Sequence, residues 1–378
     1  MNNDKIEISL TQSLSPDHTI LFTLSPDTLR PFCQKRLYNV VKVVKGVYFN
    51  PNPEPNQIWM LTFTMTLSVY YGMEDLKAMY FCIFLIIYIA IVAENVALIR
   101  VVYCEKTLHE PMYLLVCNLA VNGLYGSTAL LPALLSNILS HSHEISLPLC
   151  QTQIYAIHTY AITEFTILAV MSYDRYVAVC YPLHYYTIMS QRLLKLIVFT
   201  WLYPLLAFLI VLIFTVRLQI CGRTIDQVYC LNYLLVKLAC SDSSVASLVG
   251  LLSVPLYTVP QIIMIFYSYA HILRICILSV TKSKFKALRT CTPHLLAIIN
   301  YSIGCFFEIA QSRFNLSHLP YQSKLFLSLY FLIFPPLLNP AIYGLSIHLI
   351  RAQLLKLFSR KSRQVMNTGA KGAVVAAH

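Results

Sequence analysis

Two oppositely charged side chains, Asp174 and Arg175, are neighbours within residues 145–191, where the only other aspartate, glutamate, lysine or arginine is Glu164. Opposite charges in apolar surroundings are costly unless they meet each other or water. Such a pair can be neutralised internally in one conformation and exposed to a partner in another, which is the chemistry of a switch. The alternative is a pair that only anchors the chain at a membrane surface.

Glu164 and the Asn339-Pro340 pair are two further polar features of apolar stretches. Glu164 precedes Arg175 by eleven residues, which is about 16 Å along a helix. An acid at that depth is a functional candidate, either as a cation ligand or as a protonated structural residue. Because proline lacks an N–H and clashes with the preceding turn, Asn339-Pro340 predicts a hinge, with Tyr343 one turn farther on, or else a passive kink.

The residues with catalytic potential do not form an enzyme site. His109-Glu110 begins like the zinc-protease motif H-E-x-x-H, but Tyr113 stands in the place of the second histidine. No other group in the sequence has the spacing of a metal, cofactor or hydrolase site. We therefore expect no enzyme activity, no metal and no cofactor.

The composition indicates a membrane protein. Residues of the AVILMFWYC set make up 57% and charged residues 12%, whereas about a quarter of a soluble domain is charged. Seven apolar stretches are long enough to cross a bilayer as helices, which takes about 20 residues. We predict an all-α membrane protein with a seven-transmembrane helix bundle, whose spans lie near residues 78–102, 112–138, 151–179, 194–216, 245–273, 287–311 and 325–347.

Lysine and arginine are distributed unevenly between the two ends of these spans. Outside residues 1–77, sixteen of them belong to one side and five to the other. Since basic residues are retained on the cytoplasmic side, the N-terminus is predicted to be extracellular and the C-terminus cytoplasmic. The net charge of +12 arises in these short segments, so we expect the lipid bilayer and not nucleic acid as a partner.

Three parts of the chain are predicted. Residues 1–77 form an extracellular tail with no fold of its own, of which 1–59 is an atypical extension, and residues 78–347 form the seven-helix domain. Residues 348–378 form a short amphipathic eighth helix and a cytoplasmic tail. The apolar stripe of this helix consists of Ile347, Ile350, Leu354 and Leu357, and the alternative is a frayed basic tail.

Four of the twelve cysteines fall on the predicted outer side. An oxidising compartment predicts two disulfides among them, and their spacing alone allows three pairings. They are Cys150, Cys221, Cys230 and Cys240.

Five short motifs resemble, in order, those of odorant receptors, a branch of the rhodopsin-like G-protein-coupled receptors. MSYDRYVAVC at 171–180 is similar to the MAYDRYVAIC of that family. The others are LHEPMY at 108–113, SY at 268–269, KALRTC with the histidine at 294, and PPLLNPAIYG at 335–344. The resemblance covers residues 78–360 and not the first fifty-odd residues.

The resemblance implies a plasma-membrane receptor that binds small odorant molecules and activates a heterotrimeric G protein of the stimulatory olfactory type. It implies the disulfides Cys150–Cys230 and Cys221–Cys240. A sodium site at Glu164 is also implied, although Asn122-Gly123 stands where the family has an acid in the second span. The switch residues would be Asp174, Arg175, Tyr176, Asn339, Pro340 and Tyr343.

The ligand is expected in the outer half of the bundle, between the third, fifth and sixth spans. His158 would donate a hydrogen bond, and Arg313 would pair with an anionic odorant such as a short carboxylic acid. Alternatively, His158 is a core histidine and Arg313 reaches out to the interface. The candidate lining residues are Tyr155, His158, Tyr257, Phe307, Ile309 and Arg313.

Two other functions fit the same seven spans. One is a rhodopsin-like receptor that works outside olfactory tissue. The other is a channel or transporter, which would line its pathway with several charges. The isolated charges of this sequence lie at different levels of different spans, and this favours a receptor.

The predicted orientation can be tested with epitope tags. A tag at the N-terminus should be stained by antibody on intact cells, and a tag at the C-terminus only after permeabilisation, because sixteen basic residues hold that side in the cytoplasm. A C-terminal tag that stains on intact cells contradicts the predicted orientation.

Overall fold

The computed structural model describes residues 63–278, 281–313 and 319–356, and in 281–290 and 312–313 it describes the backbone alone. Within these residues seven helices are long and apolar enough to cross a membrane, which confirms the predicted fold class. We call the end of the bundle that carries Arg175 the inner end and the end that carries Cys150 the outer end. The helices are α1 (Lys77–Cys104), α2 (Pro111–Leu139), α3 (Leu147–Cys180), α4 (Tyr185–Val216), α5 (Ser244–Leu278), α6 (Thr281–Arg313) and α7 (Tyr321–Ser346).

Prolines mark the start of two of the helices, and the predicted spans lie within or close to the observed helix bounds. α2 and α3 both start with a proline in the first turn, where the missing N–H costs nothing. Six predicted spans lie inside their helices, and the seventh runs one residue past Ser346. α4 begins earlier than predicted, at Tyr185, because the polar residues of its first turns interrupt the apolar pattern without interrupting the helix.

α3 is the central helix of the bundle. It packs against α2, α4, α5 and α6, and its described side chains are the most buried of the seven spans. α5 is the least buried span, and apolar residues such as Leu256, Ile263 and Phe266 are exposed along it. A helix that is apolar all round and exposes such residues is suited to contact lipid.

The outer end is covered by a three-stranded sheet that the sequence analysis did not predict. β1 (Thr64–Leu67) lies in the middle, antiparallel to β2 (Glu144–Ser146) and parallel to β3 (Thr224–Ile225). β2 precedes α3, and β3 belongs to the outer loop, residues 217–243, between α4 and α5. We call this sheet the lid.

The expectation of a loose tail up to residue 77 is therefore wrong for its described part. Phe63, Met65 and Leu67 are buried and alternate with threonines, which is the period of a half-buried strand. The run from Phe63 to Leu67 is too short for a membrane span. Its alternation of apolar residues and threonines was the signal for a strand. A 3₁₀ helix follows, Ser68–Leu76, in which the Tyr70 hydroxyl donates to the Val228 carbonyl at 2.8 Å.

His143 fixes the turn before β2. Its φ is +50°, a conformation that few residues other than glycine adopt. Its buried ring stacks on Tyr70, and Nδ1 donates to the Asn137 carbonyl at 2.8 Å. These contacts hold the loop between α2 and α3 against the segment that follows β1.

The chain turns at Ile347 and continues as a helix over residues 348–356. Ile350 is buried, and Leu354 lies 3.2 Å from the position that a Cβ would take at Gly344. The predicted amphipathic eighth helix is thus present in the described residues. Leu357, the last member of the predicted stripe, lies outside them.

Two truncations distinguish the contribution of the extension, residues 1–59, to stability from that of β1 in the lid. Deletion of residues 1–59 keeps β1 and should leave surface expression and melting temperature unchanged. Deletion of residues 1–67 removes Phe63, Met65 and Leu67 from buried positions, each worth about 1.5–3 kcal/mol, and should lower both. Flow cytometry and the melting temperature of purified receptor measure the outcome, and equal behaviour of the two truncations contradicts a structural role for β1.

Candidate functional site

The charged pair at the inner end of α3 is closed on itself. Arg175 Nε donates to Asp174 Oδ2 at 2.9 Å, and its Nη2 donates to the same oxygen. The Tyr185 hydroxyl donates to Asp174 Oδ1 at 2.8 Å. Asp174 is completely buried. In this conformation the arginine charge is therefore neutralised by its neighbour, as the sequence allowed.

α6 is held against α3 and α5 by a buried histidine. His294 Nε2 donates to the Leu168 carbonyl at 3.0 Å, and its Nδ1 accepts a hydrogen bond from the Tyr269 hydroxyl. A ring that donates through one nitrogen and accepts through the other is neutral. Residues 286–294 contain no acid that could bind Arg175, so these two bonds take the place of an ion pair between α3 and α6.

Glu164 joins three helices in the middle of the bundle. It is 1% exposed, and its carboxylate accepts from Asn122 Nδ2 of α2 and from Asn339 Nδ2 of α7, each at 2.7 Å. Asn95 Nδ2 of α1 donates to the Pro336 carbonyl of α7 at 2.9 Å. Each carboxylate oxygen keeps a further acceptor position, and the amide oxygens of Asn95, Asn122 and Asn339 are buried without a hydrogen-bond partner among the described residues. Oxygens of this kind are the ligands that a hard cation takes, so the sodium site that the resemblance implied stays a prediction.

The four outer cysteines form two disulfides, Cys150–Cys230 and Cys221–Cys240, which match the pairing that the resemblance implied. The first fixes the outer loop to the outer end of α3, and such a bond is commonly worth about 2–5 kcal/mol. The Cys230 N–H also donates to Gln153 Oε1 at 3.0 Å. The loop above the bundle is therefore held in one place.

Three of the six predicted ligand contacts form one group between α3, α4 and α5. The Tyr155 and Tyr257 hydroxyls donate to carbonyls of α4, at 3.0 and 2.8 Å. His158 stacks on Phe208 of α4 with ring centroids 4.3 Å apart. Its Nδ1 donates to the Ile154 carbonyl at 2.8 Å, so in the neutral ring Nε2 is an acceptor. The expected donation from His158 therefore does not agree with this geometry.

The other three predicted contacts do not join that group. The Phe307 ring contacts Tyr330 of α7, with centroids 5.2 Å apart, and Ile309 is 53% exposed. The Arg313 side chain lies outside the described residues. The rise per residue gave the depth of these positions, but residues two apart on a helix face nearly opposite directions.

A second polar group lies between α6, α7 and the outer loop, and the sequence analysis missed it. The Tyr229 hydroxyl is 2.9 Å from Glu308 Oε2 and 3.1 Å from the Ser328 carbonyl. Ser328 Oγ is 2.6 Å from Gln311 Oε1 and 2.9 Å from Gln227 Oε1. Glu308 is an acid inside an apolar span, the same signal that singled out Glu164, and it could have been found in the same way.

The inner end offers a surface for a partner. Tyr176 packs against Tyr267 and His271 of α5, with centroids 5.7 and 5.5 Å apart. Tyr343 is completely buried beside Met171, one turn after Pro340. A cavity of 320 Å³ lies between α6 and the start of the helix over residues 348–356, and it is lined by Thr292, Pro293, Leu345, Ser346, His348 and Arg351.

The sequence was also compared with known proteins. A family model described as "Olfactory receptor" matches residues 81–361. Human "Olfactory receptor 51G1" is 34% identical over 299 residues, which cover 78% of this chain and 92% of that protein. Human "Olfactory receptor 52D1" is 35% identical over 76% of this chain and 92% of its own length, and human "Olfactory receptor 11A1" is 34% identical over 79% and 94%. The chain therefore belongs to the olfactory receptor family of G-protein-coupled receptors.

Proposed function

We propose that this receptor holds a small odorant in the outer half of its bundle and activates a heterotrimeric G protein at its inner end. The protein would act in the plasma membrane with its N-terminus outside, and the G protein would be the stimulatory olfactory type that raises cyclic AMP. The observation that carries the proposal is the closed Asp174–Arg175 pair beside an α6 that neutral hydrogen bonds hold against α3 in the described residues. These bonds come from His294 at the inner end and from Tyr301, whose hydroxyl donates to the Ala161 carbonyl at 2.7 Å. This is the geometry of a switch at rest.

Activation requires two changes at the inner end. α6 must move away from α3, which breaks the bonds of His294 to Leu168 and Tyr269. Neutral hydrogen bonds of this kind contribute about 0.5–1.5 kcal/mol each. A ligand can shift the equilibrium only by the difference between its affinities for the two states, and a resting state held by neutral bonds keeps the required difference small.

Arg175 is the group that the partner would meet. When α6 has moved, the guanidinium can leave Asp174 and donate to acceptors of the G protein. Asp174 then keeps the Tyr185 hydroxyl as a partner, so that the open state does not strand a buried carboxylate. Asn339-Pro340 gives α7 a flexible point one turn from Tyr343, between Glu164 and the inner cavity.

At the outer end, the group of Tyr155, His158 and Tyr257 supplies one wall of the proposed ligand site, and Arg313 of α6 is the proposed contact opposite it. Phe307, which contacts α7, and Ile309, which is exposed, are not part of that site. The Tyr155 and Tyr257 hydroxyls are already bound to α4, so these rings would offer apolar contact. His158 Nε2 has no partner among the described residues and can accept a hydrogen bond from an odorant. Arg313 remains our candidate contact for an anionic or accepting group.

The alternatives can be compared with this proposal. Similarity to olfactory receptors over most of the chain favours a receptor over a channel or transporter. A receptor that works outside olfactory tissue would share the same switch, and an odorant panel is the measurement that separates the two.

The switch is tested in cells that carry a cyclic AMP reporter and are exposed to an odorant panel. Arg175→Ala should abolish the response, because the charge that faces the G protein is lost. Asp174→Asn should raise basal cyclic AMP, since loss of a charge-assisted bond shifts the equilibrium by about ten-fold or more. Tyr185→Phe is the matched control, which removes one neutral donor from Asp174 and should raise the basal signal less. A silent Asp174→Asn receptor at normal surface level would refute the switch.

The role of Arg313 is tested with an acid agonist and its ester. If Arg313 binds the carboxylate, Arg313→Ala should raise the half-maximal concentration of the acid by one to two decades, from a charge-assisted bond of about 1.5–3 kcal/mol. The ester should be nearly unaffected. Equal shifts for acid and ester, or no shift for either, remove Arg313 from the site.

A further inference from the structure

Glu308 lies half-buried where α6, α7 and the outer loop meet. It lies fourteen residues beyond His294, about 21 Å along α6 toward the outer end. Its carboxylate meets the hydroxyl of Tyr229, which is 1% exposed, and that hydroxyl also lies beside the Ser328 carbonyl. The acid therefore faces the interior of the bundle below the lid.

This carboxylate lacks most of the partners that it can accept. An ionised carboxylate has about four acceptor positions, and Tyr229 is the only hydrogen-bond partner of Glu308 in the described part of the chain. The two ion pairs of the described residues involve other acids, Glu74 and Asp174. Glu308 is half-buried, so its open acceptor positions can be reached by further donors, and a positive charge would stabilise it.

A second group beside it also lacks a partner. Gln311 Nε2 is buried and makes no hydrogen bond among the described residues, although Gln311 Oε1 is bound by Ser328 Oγ at 2.6 Å. A buried donor without an acceptor commonly costs about 1–3 kcal/mol in a protein. The same small region thus holds an unused acceptor and an unused donor.

The residues around Glu308 and Gln311 are already held in place before a ligand binds. Tyr229 precedes Cys230, whose disulfide to Cys150 and N–H bond to Gln153 hold the loop to α3. Ser328 of α7 is bound to glutamines of the loop and of α6. A site whose own side chains are already ordered loses little entropy when a ligand enters.

We propose that Glu308 is the anchor that makes this receptor select ligands with an amino group. An ammonium group supplies three donors and a positive charge to Glu308, and a hydroxyl supplies one donor. A carboxylate gains nothing from Glu308 and would have to bind through Arg313 instead. The Gln311 amide donates to an accepting group on the same ligand. His158 Nε2, an acceptor on the opposite wall, adds to the preference for ligands that donate. The inference rests on the proposed function, because it names the ligand class of the same outer site.

The test compares three ligands of equal chain length, hexylamine, hexanol and hexanoic acid, on the full-length receptor in reporter cells. Glu308→Gln keeps the size and shape of the side chain and should raise the half-maximal concentration of hexylamine by about 10- to 100-fold, the loss of one charge-assisted bond. Hexanol should shift by less than about 3-fold. Glu144→Gln is the matched control, because it removes the same charge from an exposed position of β2, so hexylamine should keep its potency.

A second measurement does not depend on the G protein. Hexylamine should raise the melting temperature of purified wild-type receptor and have no such effect on Glu308→Gln. If hexylamine stabilises only the wild type while no odorant raises cyclic AMP, the amine site stands and the proposed signalling function fails. If other odorants signal and hexylamine neither activates nor stabilises the wild type, the signalling function stands and the amine site is overturned. Equal losses for hexylamine and hexanol in Glu308→Gln also overturn it.

Discussion

A bilayer offers no hydrogen-bond partners, and the interior of this receptor is arranged around that constraint. Each buried polar side chain of the bundle must find its partner on another helix or on its own backbone. Asn95 donates to the Pro336 carbonyl of α7, which has no helical partner because Pro340 lacks an N–H. His294 donates to the Leu168 carbonyl of α3. These bonds determine which helices are joined and at what level, while apolar packing only brings them together.

The joined helices fall into two groups with different strengths. α1, α2, α3 and α7 meet through amides and the Glu164 carboxylate, and bonds to a charged group are roughly twice as strong as neutral ones. In the described residues, α6 is bound to α3 and α5 by neutral groups, the imidazole of His294 and the hydroxyl of Tyr301. The difference favours α6 as the moving helix of the proposed switch, with the others as its support.

The seven spans were predictable because length and hydropathy, which define a span, are local properties of the sequence. The pairing of the disulfides is not local: the spacing of the cysteines allowed three pairings, and the family resemblance selected the one that the structure has. The lid was not predicted because its strands come from three distant segments and β1 has only four residues. The depth of the pocket residues was predicted but not the direction in which their side chains point. Phe307 was therefore expected to line a pocket between the third, fifth and sixth spans, and it contacts Tyr330 of α7 instead. Glu308 was missed for a different reason. An acid inside an apolar span was visible in the sequence, but only Glu164 was considered as such an acid.

The middle position of β1 in the lid has a consequence for biosynthesis. β1 is made first, but its parallel partner β3 follows only after four helices have been synthesised, and the Tyr70 hydroxyl bonds to a carbonyl 158 residues later. Contacts between such distant segments form late. In the proposed orientation the segment around β1 therefore stays outside the membrane, with Met65 and Leu67 uncovered, until β3 has been synthesised and has crossed the membrane. The lid can close only after that point.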